Sequence, residues 1–322
     1  MEFLFSEFLG TAVWLWLMFM GIVFFLLVFD LGVLNRKDHE IGMTESLWLS
    51  SFYIAIAILF GVWVWWYMGA KAGMDFFTGF LVEKTLALDN IFVISLIFSY
   101  FAIPRIYQHR VLFWGILGVI ILRGIMIALG AALVTNFSWI LYIFGIFLIG
   151  TGIKMLIMMD DTPDIASNPL LKFARGHFRI TPTLHENAFF VKQHSASTNR
   201  LEWFMTPLFL ALMLIEIADL IFAVDSIPAI FAITQDTYIV YTSNIFAILG
   251  LRALYFALSA MMHRFHYLKY ALAILLIVIG GKILLAHVIK IPAYVSLTVT
   301  VAILSAGIIY SLMKTRTEHS SH

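Results

Sequence analysis

The stretch EKTLALDNIF, residues 83–92, places Glu83, Lys84, Asp89 and Asn90 in an otherwise apolar part of the chain. Its flanks, FFTGFLV before it and VISLIFSYF after it, carry no charge and would form an apolar helix. A charged side chain at the centre of a bilayer costs about 3 kcal/mol on insertion scales. Charges kept inside such a helix therefore indicate a functional site or an ion pair that holds helices together.

The composition places this helix in a membrane protein. The chain has 322 residues, of which 62% are hydrophobic and 12% charged, and it has no cysteine. A soluble globular domain has roughly 25% charged residues, so we predict a polytopic membrane protein. The missing cysteines exclude disulfides, thiolate metal sites and a cysteine nucleophile. A net charge of +1 gives no indication of a nucleic-acid partner.

Apolar runs long enough to cross a bilayer, about 20 residues each, predict an all-α fold with about nine transmembrane helices. Basic residues concentrate in alternate connections, and by the positive-inside rule these connections face the cytoplasm. The N-terminus is then outside and the C-terminus cytoplasmic. The runs lie near residues 10–31, 47–69, 77–101, 111–134, 138–159, 205–233, 242–262, 268–289 and 291–313.

The chain divides into five predicted segments. Residues 1–75 contain the first two transmembrane helices, and residues 160–202 form a polar, basic, cytoplasmic connector. Residues 76–159 and 203–290 each contain three helices, and residues 291–322 hold the last helix and a cytoplasmic tail.

The two three-helix segments resemble each other in their charged residues. EKTLALDNIFV (83–93) aligns with DLIFAVDSIPA (219–229), so that Glu83 matches Asp219 and Asn90 matches Ser226. An odd number of helices per unit makes the second unit enter the membrane from the opposite side. We therefore predict two inverted repeats, an architecture of secondary transporters that bind substrate near the midplane between the repeats. The next helices continue the match, with Arg123 against Arg252 and Lys154 against Lys282.

Two readings of these intramembrane charges remain open: ion pairs that only hold helices together, or a binding site. Residues seven apart share a helix face, so Glu83 and Asn90 point together, as do Asp219 and Ser226. Asp89 and Asp225 point elsewhere on unbroken helices, which suggests either local unwinding or a wall shared by two cavities. Pro228 favours a break in the backbone of the second half, with an ordinary kink as the alternative. The candidate ligand residues are Glu83, Asp89, Asn90, Glu216, Asp219, Asp225 and Ser226, and the candidate charge partners or gating residues are Lys84, Arg123, Lys154, Arg252 and Lys282.

The candidate ligands are hard oxygen donors, which suit Mg²⁺, Ca²⁺ or Mn²⁺ rather than copper or zinc. Carboxylates that release a metal can take up protons, so protons are a possible coupling ion. An ATP-driven pump is disfavoured because no Walker A pattern occurs, and an intramembrane aspartyl hydrolase because no GxGD stretch occurs. We expect no enzymatic activity and no organic cofactor. The sequence leaves the oligomeric state open.

Several long motifs resemble the TerC family of integral membrane proteins, most closely its Alx-type members. They are DLGVLNRKDHE (30–40), EKTLALDN (83–90), RGHFRIT (175–181), EIADLIFAVDSIPAIFAITQD (216–236) and SNIFAILGLRALYF (243–256). The resemblance implies a LysE-like transporter of the bacterial inner membrane, an association with tellurite resistance and alkaline-pH response, and export of manganese. It also implies that the motif acids serve the transported ion.

The sequence thus predicts a secondary transporter that exports Mn²⁺ as its substrate, bound between Asp89 and Asp225 at the repeat interface. The alternative is a membrane scaffold of a stress or tellurite-resistance complex, in which the same charges only clamp helices.

Overall fold

The computed structural model describes residues 2–30, 42–137, 139–157, 171–172, 178–194, 201–259, 268–286 and 291–319. A short helix α1 (Glu2–Phe5) and a two-stranded ribbon, β1 (Glu7–Phe8) with β2 (Thr11–Ala12), precede the first long helix. The long helices in these ranges are α2 (Val13–Phe29), α3 (Met43–Met68), α4 (Ala70–Tyr100), α5 (Arg105–Asn136), α6 (Ile140–Ile157), α7 (Pro207–Phe231), α8 (Thr237–Ser259), α9 (Leu268–Leu285) and α10 (Ala293–His319).

The prediction of a polytopic α-helical membrane protein is confirmed. Among the described helices, α3, α5, α6, α7 and α10 are long and apolar enough to cross a membrane, and α8 is a sixth if its two bent parts form one span. The long helices fall on the nine predicted runs, but nine membrane crossings and the inverted repeat stay predictions. The helix α2 is apolar and shorter, with 17 residues.

The predicted unwinding is wrong for the helical backbone. Helix α4 is continuous from Ala70 to Tyr100, and α7 continues through Pro228 to Phe231. Because Pro228 lies in the last turn of α7, its missing N–H removes one hydrogen bond near a helix end and leaves the preceding turns intact.

Two apolar clusters surround a polar layer between the helices. One cluster contains Phe80 of α4 and Ala223 of α7, and the other contains Ala87 and Ile215 of the same two helices. Glu83 of α4 and Asp219 of α7 lie between these positions along their helices. The packing therefore places both carboxylates in the interior, away from the water-facing helix ends.

Glycine allows α6 and α9 to approach closely. A Cβ on Gly280 would lie 2.6 Å from the carbonyl oxygen of Gly145, and a Cβ on Gly152 would lie 2.7 Å from that of Ala273. Contacts with backbone cannot be relieved by a side-chain rotation. Small residues at such interfaces are typical of packing between transmembrane helices.

We expect Gly280→Ala to destabilise the protein, because α6 and α9 must separate to admit the methyl group. Overpacking of this kind costs about 1–3 kcal/mol and should lower the midpoint of thermal unfolding in detergent. Gly281→Ala is the matched control, since nothing lies within 4 Å of its Cβ position. Equal midpoints for the two variants would contradict the close packing.

The connector between the two three-helix segments is not wholly irregular. Strands β3 (Phe190–His194) and β4 (Leu201–Met205) pair antiparallel, with Lys192 opposite Trp203. The all-α prediction therefore missed a hairpin. Its signal was the two short runs FVKQH and LEWFM, which the prediction assigned to the polar connector (160–202) and, from residue 203 on, to the second three-helix segment.

Candidate functional site

The guanidinium group of Arg123 on α5 is the centre of a buried polar network. Its Nε donates to Asp219 Oδ2 at 3.0 Å, and its Nη2 donates to Asp219 Oδ1 at 2.8 Å. Its Nη1 donates to Glu83 Oε1, to Asn244 Oδ1 at 3.0 Å and to Ser226 Oγ at 3.2 Å. One cation thus connects α4, α5, α7 and α8.

Helical spacing explains why the network side chains of α4 and α7 lie close together. Asn90 lies two turns after Glu83 on α4, and its Nδ2 donates to Asp219 Oδ1 at 3.3 Å. Ser226 lies two turns after Asp219 on α7, and both accept hydrogen bonds from Arg123. The offset of seven residues returns to nearly the same helix face, as the sequence analysis expected for both pairs.

The network is buried, so its net charge is not screened by water. The side chains of Arg123 and Glu83 are each 1% exposed, so water cannot solvate their charges. Two carboxylates face one guanidinium, and Glu216, one turn before Asp219, adds an electrostatic interaction of the same sign. With ionised carboxylates the network carries an excess of negative charge, which favours a further cation.

Glu216 packs against a glycine surface of α5. A Cβ on Gly118 would lie 2.3–2.5 Å from the carboxylate atoms of Glu216, and a Cβ on Gly115 would lie 3.7 Å from Oε1. Any larger residue at Gly118 would have to displace the carboxylate. The absence of a side chain there is what lets Glu216 enter the space between α5 and α7.

A cavity of about 40 Å³ adjoins the network. Its lining is largely apolar and comes from α4, α5, α7 and α8, with Asn90 and Asp219 as polar members and Tyr255 as an amphipathic one. A space of about 10–15 Å³ on this measure holds one water molecule. The cavity therefore has room for a small ion with few waters beside the Asp219 carboxylate.

Several buried oxygens around the network lack a hydrogen bond within the described residues. They are Glu83 Oε2, Asn90 Oδ1 and Glu216 Oε2. Asn244 Nδ2 is a buried hydrogen-bond donor that also lacks a partner there. A buried acceptor without a donor costs about 1–3 kcal/mol. Most of these unpaired atoms are hydrogen-bond acceptors, as expected where a cation or its water shell binds.

Comparison with known proteins assigns the family. The family model described as "Integral membrane protein TerC family" matches residues 68–319. The chain belongs to the TerC family. A membrane protein of Rickettsia bellii is 51% identical over 299 residues, covering 93% of this chain and 97% of the relative.

Two further relatives cover similar lengths. A membrane protein of Myxococcus xanthus is 44% identical over 302 residues, which is 94% of this chain and 93% of the relative. The protein named Alx of Escherichia coli K12, a proposed membrane-bound redox modulator, is 45% identical over 304 residues, or 92% of each chain. No solved structure matches the chain. The resemblance to TerC proteins of the Alx type is thereby confirmed.

The structure brings six of the predicted site residues into the Arg123 network or beside it and places others elsewhere. The residues at the network are Glu83, Asn90, Arg123, Asp219 and Ser226, with Glu216 close by. Asp225 instead accepts a hydrogen bond from Thr151 Oγ1 of α6 at 3.2 Å and interacts electrostatically with Lys154. The side chains of Asp89 and Arg252 lie outside the described residues.

The remaining lysines contact other groups. Lys84 donates to the backbone carbonyl of Ala247 on α8 at 3.1 Å. Lys282 donates to Ser296 Oγ of α10 at 3.3 Å and interacts electrostatically with Asp75, which pairs with Lys71 at 2.8 Å. These two predicted charge partners therefore make their described contacts outside the Arg123 network.

Two residues of these polar groups were missed from the sequence. Asn244 has no counterpart in the aligned repeat charges, and Thr151 is uncharged, so a search for intramembrane charges passes over both. The signal for Asn244 was an amide in the apolar run SNIFAILGL (243–251). Within the described part of the chain, no three His, Cys, Asp or Glu side chains are arranged as a ready metal site.

Proposed function

We propose that this TerC-family protein is a secondary transporter that exports a divalent metal ion, Mn²⁺ first, from the cytoplasm. The observation that supports this most is the buried network of Glu83, Arg123 and Asp219 beside a cavity. Its carboxylates outnumber its cation, and its unpaired atoms are mainly oxygens. A site in which acceptor oxygens predominate favours a hard cation over an anion.

The choice of Mn²⁺ rests on the resemblance to family members that export manganese, since oxygen donors alone would equally suit Mg²⁺ or Ca²⁺. The redox role in the name of the E. coli relative belongs to that protein. For this chain a thiol redox reaction is not available, because it contains no cysteine.

In the proposed cycle, Arg123 occupies the carboxylates when no metal is bound. A metal that binds Asp219 or Glu83 must displace hydrogen bonds of the guanidinium, because Arg123 already contacts both oxygens of Asp219. Arg123 keeps its charge at any physiological pH, so deprotonation cannot release it, and in this cycle a movement of α5 relative to α4 and α7 does. Metal binding and helix movement would then be coupled.

The predicted inverted repeat indicates which helices would move together. Helices α4, α5 and α6 would correspond to α7, α8 and α9. In the structure α4 contacts α8, and α5 contacts α7. The repeat symmetry would convert the first of these contacts into the second. Helix α6 contacts its own counterpart α9. Rocking of one repeat against the other would open the network to alternate sides of the membrane.

The first test is direct flux. Purified wild-type protein is reconstituted in liposomes loaded with a manganese-sensitive dye, and Mn²⁺ is added outside. We expect a faster dye response than in protein-free liposomes, with saturation as Mn²⁺ increases, and only a weak reduction of the response by excess Mg²⁺. Flux equal to that of empty liposomes, with protein correctly folded and inserted, would contradict the proposal.

Proton coupling is tested in the same liposomes. We expect an imposed pH gradient to change the rate of Mn²⁺ flux, because carboxylates that release the metal can be protonated in its place. An ionophore that collapses the gradient is the control and should remove the change. Flux that is indifferent to the gradient would leave metal transport standing and exclude proton antiport.

The scaffold remains a second candidate because Arg123 is so completely hydrogen-bonded. A guanidinium held by two carboxylates, a hydroxyl and an amide is also what a structural clamp between helices requires. The two functions differ in what the loss of one carboxylate does to Mn²⁺ flux and to folding.

A further inference from the structure

One face of the connector hairpin exposes large apolar side chains. Side chains on paired antiparallel strands alternate between two faces, and Phe190, Lys192, Leu201 and Trp203 share one of them. Phe190 is 44% exposed, Leu201 62% and Trp203 63%. The opposite face, with Gln193 and Phe204, is half-buried against the protein.

The hairpin is fixed to the start of a membrane helix. Strand β4 runs through Thr206 directly into α7, and Thr206 Oγ1 donates to the carbonyl of Ala188 at 2.7 Å. The rings of Phe190 and Phe209 lie 4.4 Å apart, which joins the exposed face of β3 to the third residue of α7. The apolar face thus continues the outer surface of a helix that crosses the membrane.

The residue types on this face match a membrane interface. Trp is enriched where hydrocarbon meets water, and Lys extends its charge toward the headgroups while its stem covers apolar surface. Lys192 Nζ lies over the Trp203 ring, 4.8 Å from its centroid, so the cation and the aromatic group are in contact. In a water-facing hairpin the same three apolar groups would remain hydrated at a free-energy cost.

We propose that the face formed by Phe190, Leu201 and Trp203 lies in the headgroup region of the bilayer, beside the first turn of α7. The partner is the lipid surface itself. Phospholipid headgroups would surround Lys192, and the three apolar side chains would reach the boundary of the acyl chains. The hairpin then anchors the connector, and with it the junction between the two three-helix segments, at a fixed depth.

The test uses the absence of native cysteine. Leu201→Cys is labelled with a nitroxide in the full-length protein in phospholipid nanodiscs, and its collisions with oxygen and with a water-soluble nickel chelate are measured. Thr183→Cys, at an exposed polar position before β3, is the matched control. We expect a higher oxygen-to-nickel collision ratio at position 201 than at position 183, and the same result for Trp203→Cys.

Each other outcome overturns the proposal. Nickel accessibility at positions 201 and 203 equal to that at 183 would place the face in water. Dipolar broadening between labels that disappears on dilution with unlabelled protein would show that a second copy of the chain covers it. Low collision rates with both reagents, without broadening, would mean that another part of the protein covers the face.

Discussion

Arg123→Gln is expected to lower the stability of the folded protein more than the loss of any exposed ion pair. The substitution leaves Glu83 and Asp219 without their shared cation, in a place where both are buried. Removing one partner of a buried ion pair typically costs about 3–5 kcal/mol. The measurement is the midpoint of thermal unfolding in detergent, together with the amount of protein recovered from the membrane.

Three comparison variants separate charge from geometry. Arg123→Lys keeps the charge but cannot form the paired hydrogen bonds to Asp219, so its midpoint should lie between those of wild type and Arg123→Gln. Arg123→Gln combined with Glu83→Gln removes one uncompensated carboxylate and should recover part of the loss. Lys71→Gln removes a lysine that is 79% exposed from Asp75, whose side chain is 4% exposed, and should cost less than Arg123→Gln because Asp75 also interacts electrostatically with Lys282. Equal losses for Arg123→Gln and Lys71→Gln would show that the carboxylates do not depend on Arg123.

The sequence predicted the members of the network better than their pairing. Intramembrane charge and an offset of seven residues selected Glu83, Asn90, Asp219 and Ser226, because helical periodicity is a local property of the chain. Which cation contacts them depends on how four helices pack, and Arg123 was only one of five predicted charge partners. Asn244 shows the limit most clearly, since its role comes entirely from its position opposite Arg123.

The helix runs were predictable for the same local reason, while the connector was not. A run of about 20 apolar residues predicts a span without knowledge of its neighbours. The hairpin depends on pairing between residues 190–194 and 201–205 and on support from α7. The inference from Pro228 failed because a proline in the last turn of a helix interrupts almost nothing.

Asp219→Asn should abolish Mn²⁺ flux while leaving the protein folded, and this combination separates a transporter from a scaffold. After the substitution Arg123 still pairs with Glu83, and the amide oxygen can still accept a hydrogen bond. The group that also contains Glu216 loses one negative charge and one carboxylate ligand, so its attraction for a second cation weakens. Changes to groups that only orient a metal ligand cost about 10–100-fold in affinity or activity, so losing a ligand should lower flux by at least that factor.

The control is another buried carboxylate treated in the same way. Asp75 lies on the same helix as Glu83 but pairs with Lys71, away from the Arg123 network, and Asp75→Asn should retain Mn²⁺ flux. Asp89→Asn and Asp225→Asn, measured beside it, test whether the predicted pair contributes ligands. If Asp219→Asn keeps wild-type flux, the network is not the metal site. If it instead unfolds the protein, and wild type shows no more flux than empty liposomes, the carboxylates act as a clamp, and the scaffold becomes the better account of why an apolar helix carries EKTLALDN.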